Sequence, residues 1–234
     1  MLKTLLNCKN LALLAVDMTD VNSRFKDDLA DGGFCSKGYF YGYKLHLIVT
    51  RDGVPLTTVL TKANLTEASV NDKLTDKLDR SLTKKQRERL RNVVADAGYD
   101  SNRIYEDFQE SGLEMIATVN PRRDGRLKEK ELSRKTKREL KERGKARDLG
   151  ILRYHTQRGK KLYKERTVVE RVFSQLKTHL LPRGSKGKSE KMPWWARGKR
   201  KVKEVVDRGL FAYVAMEYTN KLRRKKIRKI TPYL

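Results

Sequence analysis

Short apolar runs that stop at an acidic residue mark two buried strands in the first half of the chain. Residues 11–16 are all apolar and lead into Asp17, and the segment 91–96 carries Val-Val-Ala directly before Asp96. A short apolar run bounded by polar and turn residues is typical of a central strand. We therefore predict two central strands, each ending in a carboxylate.

The remaining pattern completes an α/β core. Residues 43–50 and 55–60 are rich in branched residues and flank a glycine turn, which predicts a hairpin, and 113–119 predicts a further strand. Helical periodicity covers 66–82, with Thr66 as a candidate N-cap, and 101–110, with Asp100 as a candidate N-cap. This order predicts an α/β fold in which helices flank a mixed sheet.

The second half of the chain changes character. Residues 121–159 are dominated by Arg, Lys and Glu, which predicts a basic insertion with one charged helix and a loop, disorder being the alternative. A last helix is predicted over about 203–222 as the end of the core domain. The tail 223–234 follows, and seven of the nine residues 221–229 are basic. It is either a backbone-binding tail or a solvated terminus.

One predicted helix, from Tyr163 to Lys177, carries a polar stripe. At about 100° per residue from Tyr163, Arg166 falls at about 300°, Glu170 at about 340° and Lys177 at about 320°. Valines and a leucine occupy the opposite arc, which would face a core. A carboxylate can hold a metal and the three other groups can hold phosphate oxygens. An ordinary amphipathic helix with a solvated face is the alternative.

The charge of the chain is concentrated in its second half. Residues 1–120 carry 17 basic and 17 acidic residues, whereas residues 121–234 carry 38 and 12, and the net charge is +26. Such an excess favours a polyanionic partner, nucleic acid before an anionic membrane. No apolar run approaches the roughly 20 residues that span a bilayer. Cys8 and Cys35 fit neither a zinc pattern nor a disulfide framework, which is typical of a cytoplasmic protein.

Three carboxylates are candidates for one metal site. Asp17 and Asp96 end predicted neighbouring strands, and Glu170 lies on the helix after the last strand. Carboxylates that converge at a sheet edge repel one another unless a divalent cation neutralises them. Each acid alone is more typical of a turn or cap. Asp20 could replace Asp17, but it lies beyond the apolar run, so we prefer Asp17.

These residues resemble the DDE transposases of bacterial and archaeal insertion sequences, in the branch marked by a Tyr-x2-Arg-x3-Glu-x6-Lys signature. The matching blocks are Ala15-Val-Asp17-Met-Thr19, Tyr41-Gly-Tyr-Lys-Leu-His46 running into Asp52-Gly-Val-Pro55, Ala95-Asp96-Ala-Gly98-Tyr99, and Tyr163, Arg166, Glu170 and Lys177. The resemblance implies an RNase H-like fold, Mg²⁺ or Mn²⁺ as cofactor, and two-metal cleavage and strand transfer of double-stranded DNA at transposon ends and target.

By this resemblance, Asp17, Asp96 and Glu170 are the catalytic metal ligands, and Tyr163, Arg166 and Lys177 contact DNA. It also implies a homo-oligomer on DNA, located in the cytoplasm at the nucleoid. Only sixteen residues precede Asp17, which leads us to expect a truncated copy or one fragment of a split reading frame. A standalone metal-dependent nuclease and a non-enzymatic basic nucleic-acid-binding protein are the alternatives.

Three other residues are weaker candidates. His46 lies in a predicted strand, and packing is expected over metal ligation. Trp194 and Trp195 lie in a basic stretch, where packing onto the core is favoured over stacking on an unpaired base.

Overall fold

The structure is a computed structural model that describes residues 12–23, 27–35, 38–124, 127, 132–180, 192 and 195–222. Six strands form one sheet: β1 Leu13–Asn22, β2 Asp31–Cys35, β3 Gly38–Thr50, β4 Pro55–Lys62, β5 Asn92–Ala95 and β6 Glu114–Ala117. The predicted basic tail 223–234, Cys8 and Trp194 lie outside the described residues.

The sheet is mixed. Its order is β2-β3-β1-β5-β6, with β4 also paired to β3. β1 is antiparallel to β3 and parallel to β5, β5 is parallel to β6, and β3 and β4 form the predicted hairpin. Helices pack on this sheet around one main apolar core. The predicted α/β class is therefore confirmed.

Nine α-helices lie within the described residues. They are α1 Asn71–Ser81, α2 Lys84–Arg87, α3 Asn102–Glu110, α4 Pro121–Asp124, α5 Arg134–Arg143, α6 Ala146–Tyr154, α7 Gln157–Tyr163, α8 Thr167–Gln175 and α9 Gly198–Leu222. The helix predicted over 66–82 begins instead with a 3₁₀ turn, Glu67–Ser69, ahead of α1. None of the described helices is long and apolar enough to cross a bilayer.

Two strands differ from the prediction. β1 does not stop at Asp17 but continues to Asn22, because it pairs with β3 from Leu14 to Asn22. β2 was not predicted: its sequence, Asp-Gly-Gly-Phe-Cys, has low strand propensity, and the strand exists because it pairs with the first residues of β3. Asp17 is consequently a mid-strand residue.

The basic segment 121–159 contains more structure than one charged helix and a loop. Its described part includes α4, α5, α6 and the start of α7. A buried ion pair joins it to the core: Arg147 Nε lies 2.6 Å from Asp100 Oδ1 and Arg147 Nη2 lies 2.9 Å from Asp100 Oδ2. Asp100 is therefore not the N-cap of α3, a position that Ser101 occupies.

Asp27 attaches the start of α9 to the sheet. Its Oδ2 accepts hydrogen bonds from the Tyr43 hydroxyl at 2.8 Å and from the Gly198 amide at 2.7 Å, and its Oδ1 accepts one from the Leu29 amide. A buried carboxylate with three donors is well compensated for its loss of water. α9 thus begins at a fixed point beside β3.

Candidate active site

The register of the sheet brings Asp17 and Asp96 side by side. Ala15 pairs with Val94 where β1 and β5 run parallel, so two residues further along Asp17 lies level with Asp96. Neighbouring strands are about 4.8 Å apart. Asp96 directly follows β5, and its Oδ1 accepts a hydrogen bond from the Gly98 amide at 2.9 Å, which caps a 3₁₀ turn. Both carboxylates therefore lie where β5 ends.

Glu170 approaches this pair from α8 through Arg166. Arg166 Nη1 lies 2.7 Å from Glu170 Oε1 and 3.6 Å from Asp17 Oδ2. The valine face of α8, with Val168, Val169 and Val172 buried, packs against β1 and β3 and fixes the helix over the sheet. One guanidinium thus bridges a strand carboxylate and a helix carboxylate.

The pKa of Asp17 is raised by its burial and by the negative charges beside it. Burial, and next the charge of the neighbouring Asp96, raise the pKa of Asp17 to about 7. The charge of Glu170 makes a smaller contribution in the same direction. A hydrogen bond from the Met18 amide and the Arg166 charge act in the opposite sense. The three acids therefore share one electrostatic environment in which a cation is favoured.

Tyr163 lies at the end of α7 rather than on the same helix as Glu170. A 3₁₀ turn, Lys164–Arg166, separates α7 from α8. The Tyr163 hydroxyl is 3.2 Å from Thr118 Oγ1, beyond the end of β6, and the Arg166 guanidinium lies 5.7 Å from the ring centroid. The ring therefore supports Arg166 by a cation–π contact.

Lys177 forms an ion pair with Asp20 near the end of β1. It lies in a π-helical turn, Leu176–Leu180, that follows α8, and its Nζ is 2.9 Å from Asp20 Oδ1. The helix predicted from Tyr163 to Lys177 is therefore divided among the end of α7, a 3₁₀ turn, α8 and the π turn, and Lys177 faces the last residues of β1.

The donor set suits a hard divalent cation, but the three carboxylates are not gathered around one point. Three carboxylates supply the oxygen ligands that Mg²⁺ prefers. Among the residues that the structure describes, no group of three His, Cys, Asp or Glu side chains is placed to hold a metal ion. Glu170 is engaged by Arg166 instead. The ligand roles of Asp17, Asp96 and Glu170 stay predictions.

Two of the weaker candidates, His46 and Trp195, lie within the described residues. His46 is 1% exposed, its Nε2 lies 3.1 Å from Thr61 Oγ1, and burial lowers its pKa to about 4. It is packed inside the sheet, as expected. Trp195 is 45% exposed, so packing onto the core does not cover it fully.

Sequence reasoning did not foresee the ion pair of Asp20 with Lys177. Asp20 was set aside because it lies beyond the apolar run, and its partner is 157 residues away. Lys177 belongs to the signature and Asp20 directly follows the first matching block, which ends at Thr19, and this proximity is the only signal in the sequence that could have linked them.

A model of the transposase DDE domain family matches residues 10–188, which include all six predicted site residues. The chain belongs to the transposase DDE domain family. The predicted membership of the DDE transposases is thereby confirmed. No curated protein gives a significant match to the chain.

A solved structure supports the fold of this DDE domain. The chain is similar to the piggyBac transposase, whose cryo-EM structure is a synaptic complex with hairpin DNA, with a TM-score of 0.53 and 9% identity. The match covers 93% of this chain and 49% of that one, so the chain spans about half the length of the piggyBac protein. The predicted RNase H-like fold is confirmed.

Proposed function

We propose that this chain is the catalytic core of a DNA transposase that cleaves phosphodiester bonds and transfers strands with the help of a divalent metal. The observation that carries the proposal is the register that sets Asp17 level with Asp96, beneath a helix whose Glu170 is linked to Asp17 through Arg166. Family membership and the similarity to a transposase bound to DNA support it.

In this proposal Asp17, Asp96 and Glu170 hold the divalent ion, Mg²⁺ or Mn²⁺. When bound, such an ion activates the attacking oxygen and stabilises the leaving oxygen. Water attacks the phosphorus at the transposon end and a 3′-hydroxyl leaves; that hydroxyl then attacks a target phosphodiester and displaces a second 3′-oxygen. To act as a ligand, Glu170 would have to release its ion pair with Arg166.

Arg166 changes partner in the same step. With the carboxylates neutralised by a bound cation, the Arg166 guanidinium would be free to hold the phosphate oxygens beside the cut bidentately. Tyr163 keeps the guanidinium in place through its ring, and Lys177 contacts the backbone further along. These DNA contacts are part of the proposal, as are a homo-oligomer on the DNA and a location at the nucleoid.

The two alternatives predict different products. A standalone nuclease with the same fold would cleave without joining, and a basic binding protein would do neither. The test is incubation of the chain with Mg²⁺ or Mn²⁺ and a duplex that carries the inverted repeat flanking its own reading frame, together with a supercoiled target plasmid. We expect nicking at the repeat end and covalent joining of that end to the plasmid.

A pair of matched substitutions tests whether the nicking activity depends on the candidate active site. Asp96→Asn should abolish nicking, whereas Asp28→Asn, at an exposed aspartate far from β5 in sequence, should leave it intact. Nicking that persists in Asp96→Asn would refute the metal-ligand role. Nicking without joining would favour the nuclease, and DNA binding without nicking in the unchanged protein would favour the binding protein.

A further inference from the structure

A second cationic feature lies away from the three carboxylates. A groove of about 500 Å³ runs between α1, β4 and α9, and we name it the β4 groove. It is lined by the apolar and hydroxyl side of β4 and by charged side chains of both helices: Thr58, Val59, Leu60, Lys73, Asp76, Lys77, Arg80, Lys199 and Lys203. None of these residues belongs to the candidate active site.

The charges in the β4 groove are strongly unbalanced. Five of its lining residues are basic and one, Asp76, is acidic. Two of the five have protein partners: Lys77 Nζ donates to the Thr58 carbonyl oxygen at 2.7 Å, and Lys203 pairs with Asp207. Among the described residues, no carboxylate forms an ion pair with the other three, Lys73, Arg80 and Lys199.

Lys77 and Lys203 repel each other across the groove. Partial burial, then the charge of Lys203, lower the pKa of Lys77, while Asp207 acts in the opposite sense. Lys77 belongs to α1 and Lys203 to α9, so the repulsion acts across the groove from one helix to the other. An anion placed between the two helices would relieve it.

The cations form two rows. Lys73, Lys77 and Arg80 follow one another at spacings of four and three residues on α1, which places them on one helix face over about 10 Å. Lys199 and Lys203 form a second row on α9 at a spacing of four residues. Phosphates of one DNA strand recur about every 3.4 Å along the duplex axis, so a row of this length faces about three of them.

The position of the groove separates it from the cleavage chemistry. β4 pairs with β3, and β3 pairs with β1, which carries Asp17. Two strand spacings, about 10 Å, therefore lie between β4 and the strand of Asp17, before the helix α1 adds its own width. The groove is therefore a separate surface, whose residue Thr58 lies level with Asp17 but two strands away.

We propose that the β4 groove binds the sugar–phosphate backbone of double-stranded DNA at a distance from the cut. The inference rests on the proposed action on DNA and adds a second contact surface to it. Two facing rows of cations grip backbone and do not read bases, so the groove positions the duplex without choosing its sequence.

The test is equilibrium binding of a 30-base-pair duplex of arbitrary sequence, measured without divalent ions between 50 and 300 mM salt. The groove variant is Lys73→Gln/Arg80→Gln/Lys199→Gln, which alters three exposed side chains and leaves the anchored Lys77 in place. Because each phosphate contact contributes about 0.9 to the slope of log K against log salt, the slope should become shallower by about 2 to 3. Affinity at 100 mM salt should fall at least about 30-fold.

The control is Lys84→Gln/Lys85→Gln/Arg89→Gln, which removes the same charge from exposed residues in and just after α2. It should change the slope by less than about 1. An equal effect of the two variants would show a general loss of charge and overturn the proposal. A second groove variant, Lys73→Gln/Lys199→Gln, keeps the test valid if the triple variant has a lowered Tm.

The same binding measurement, made with duplex RNA and with vesicles of anionic lipid, tests whether the groove binds another polyanion. If the groove variant bound duplex RNA or anionic vesicles more weakly but bound DNA as well as the unchanged protein does, the proposal would be overturned. The assay needs no cleavage, so its result is separate from that of the proposed function. A chain that never nicks DNA refutes the proposed function, whereas a groove variant with unchanged slope refutes only the groove.

Discussion

Lys177 Nζ and Asp20 Oδ1 lie 2.9 Å apart, with side-chain exposures of 17% and 12%. The pair joins the π turn after α8 to the end of β1, so it helps to hold the helix of Glu170 over the sheet. A half-buried ion pair of this kind is costly to break from one side, because the remaining charge keeps its desolvation penalty.

Replacement of Lys177 should therefore affect stability as well as DNA binding. We expect Lys177→Met to lower the free energy of unfolding by about 1 to 3 kcal/mol, since Asp20 loses a charged partner. The double variant Asp20→Asn/Lys177→Met should recover part of the loss. Urea unfolding of the two single variants and the double variant gives the coupling energy.

A coupling energy near zero in this cycle would contradict the structural role and leave DNA contact as the only role of Lys177. In that case Lys177→Met should weaken DNA binding without lowering the melting temperature. The cycle thus separates a lysine that supports the fold from one that serves the substrate.

If Asp17 and Glu170 hold the cation, as proposed, Arg166 competes with it for these carboxylates. Its guanidinium contacts both Asp17 and Glu170, so its removal should raise the affinity of the chain for Mn²⁺ in the absence of DNA. A unit charge at about 4 Å contributes on the order of 1 kcal/mol even in bulk water, so we expect about a tenfold effect from Arg166→Ala on a divalent ion.

Titration calorimetry with Mn²⁺ measures this, and Lys164→Ala, at an exposed lysine of the preceding turn, is the matched control. The same Arg166→Ala variant should bind a cleavage-site duplex more weakly. Unchanged or weaker Mn²⁺ binding would mean that Arg166 organises the carboxylates instead of competing for them.

Contacts between residues close in sequence could be predicted for the site, whereas contacts that depend on how the helices pack on the sheet could not. Arg166 and Glu170 are four residues apart, so helical periodicity alone placed them together. The contact of Arg166 with Asp17 spans 149 positions and depends on how the valine face of α8 meets β1. The end of β1 was misplaced for a similar reason: propensity ends with the apolar run, whereas hydrogen bonds to β3 extend the strand to Asn22.

Acid should destabilise the chain through His46. Burial, then the nearby Lys44 charge, lower the pKa of His46 from 6.5 to about 4 in the folded state. Between these values the unfolded chain binds the proton and the folded chain does not, so stability falls as the pH falls from about 6.5 to 4. His46→Gln, which can still bond Thr61, should remove this part of the pH dependence.

The measurement is the free energy of unfolding in urea at pH 7 and pH 4.5. We expect the loss on acidification to be about 2 kcal/mol larger in the unchanged protein than in His46→Gln, since each unit of pKa corresponds to about 1.4 kcal/mol. Equal losses in the two proteins would show that His46 titrates normally and is open to water.

Glu217 should give a pH dependence of the opposite sign. It is 2% exposed on α9, and its Oε2 has no hydrogen-bond partner among the described residues. Burial raises the pKa of Glu217 from 4.5 to about 7, with Arg171 opposing the shift and Asp52 adding to it. Between these values the folded chain binds the proton and the unfolded chain does not, so this group makes stability fall as the pH rises from about 4.5 to 7.

Glu217→Gln should accordingly stabilise the protein above neutral pH and not below pH 4.5, because the amide replaces a charge that is costly to bury. We expect a gain of about 3 kcal/mol in the free energy of unfolding at pH 8, since each unit of pKa corresponds to about 1.4 kcal/mol and the shift already includes the attraction of Arg171. Glu110→Gln, at an exposed glutamate on α3, is the control and should change stability little at either pH. A destabilised Glu217→Gln at pH 8 would instead show that the carboxylate is charged and held by Arg171, which would make that ion pair a tie between α8 and α9.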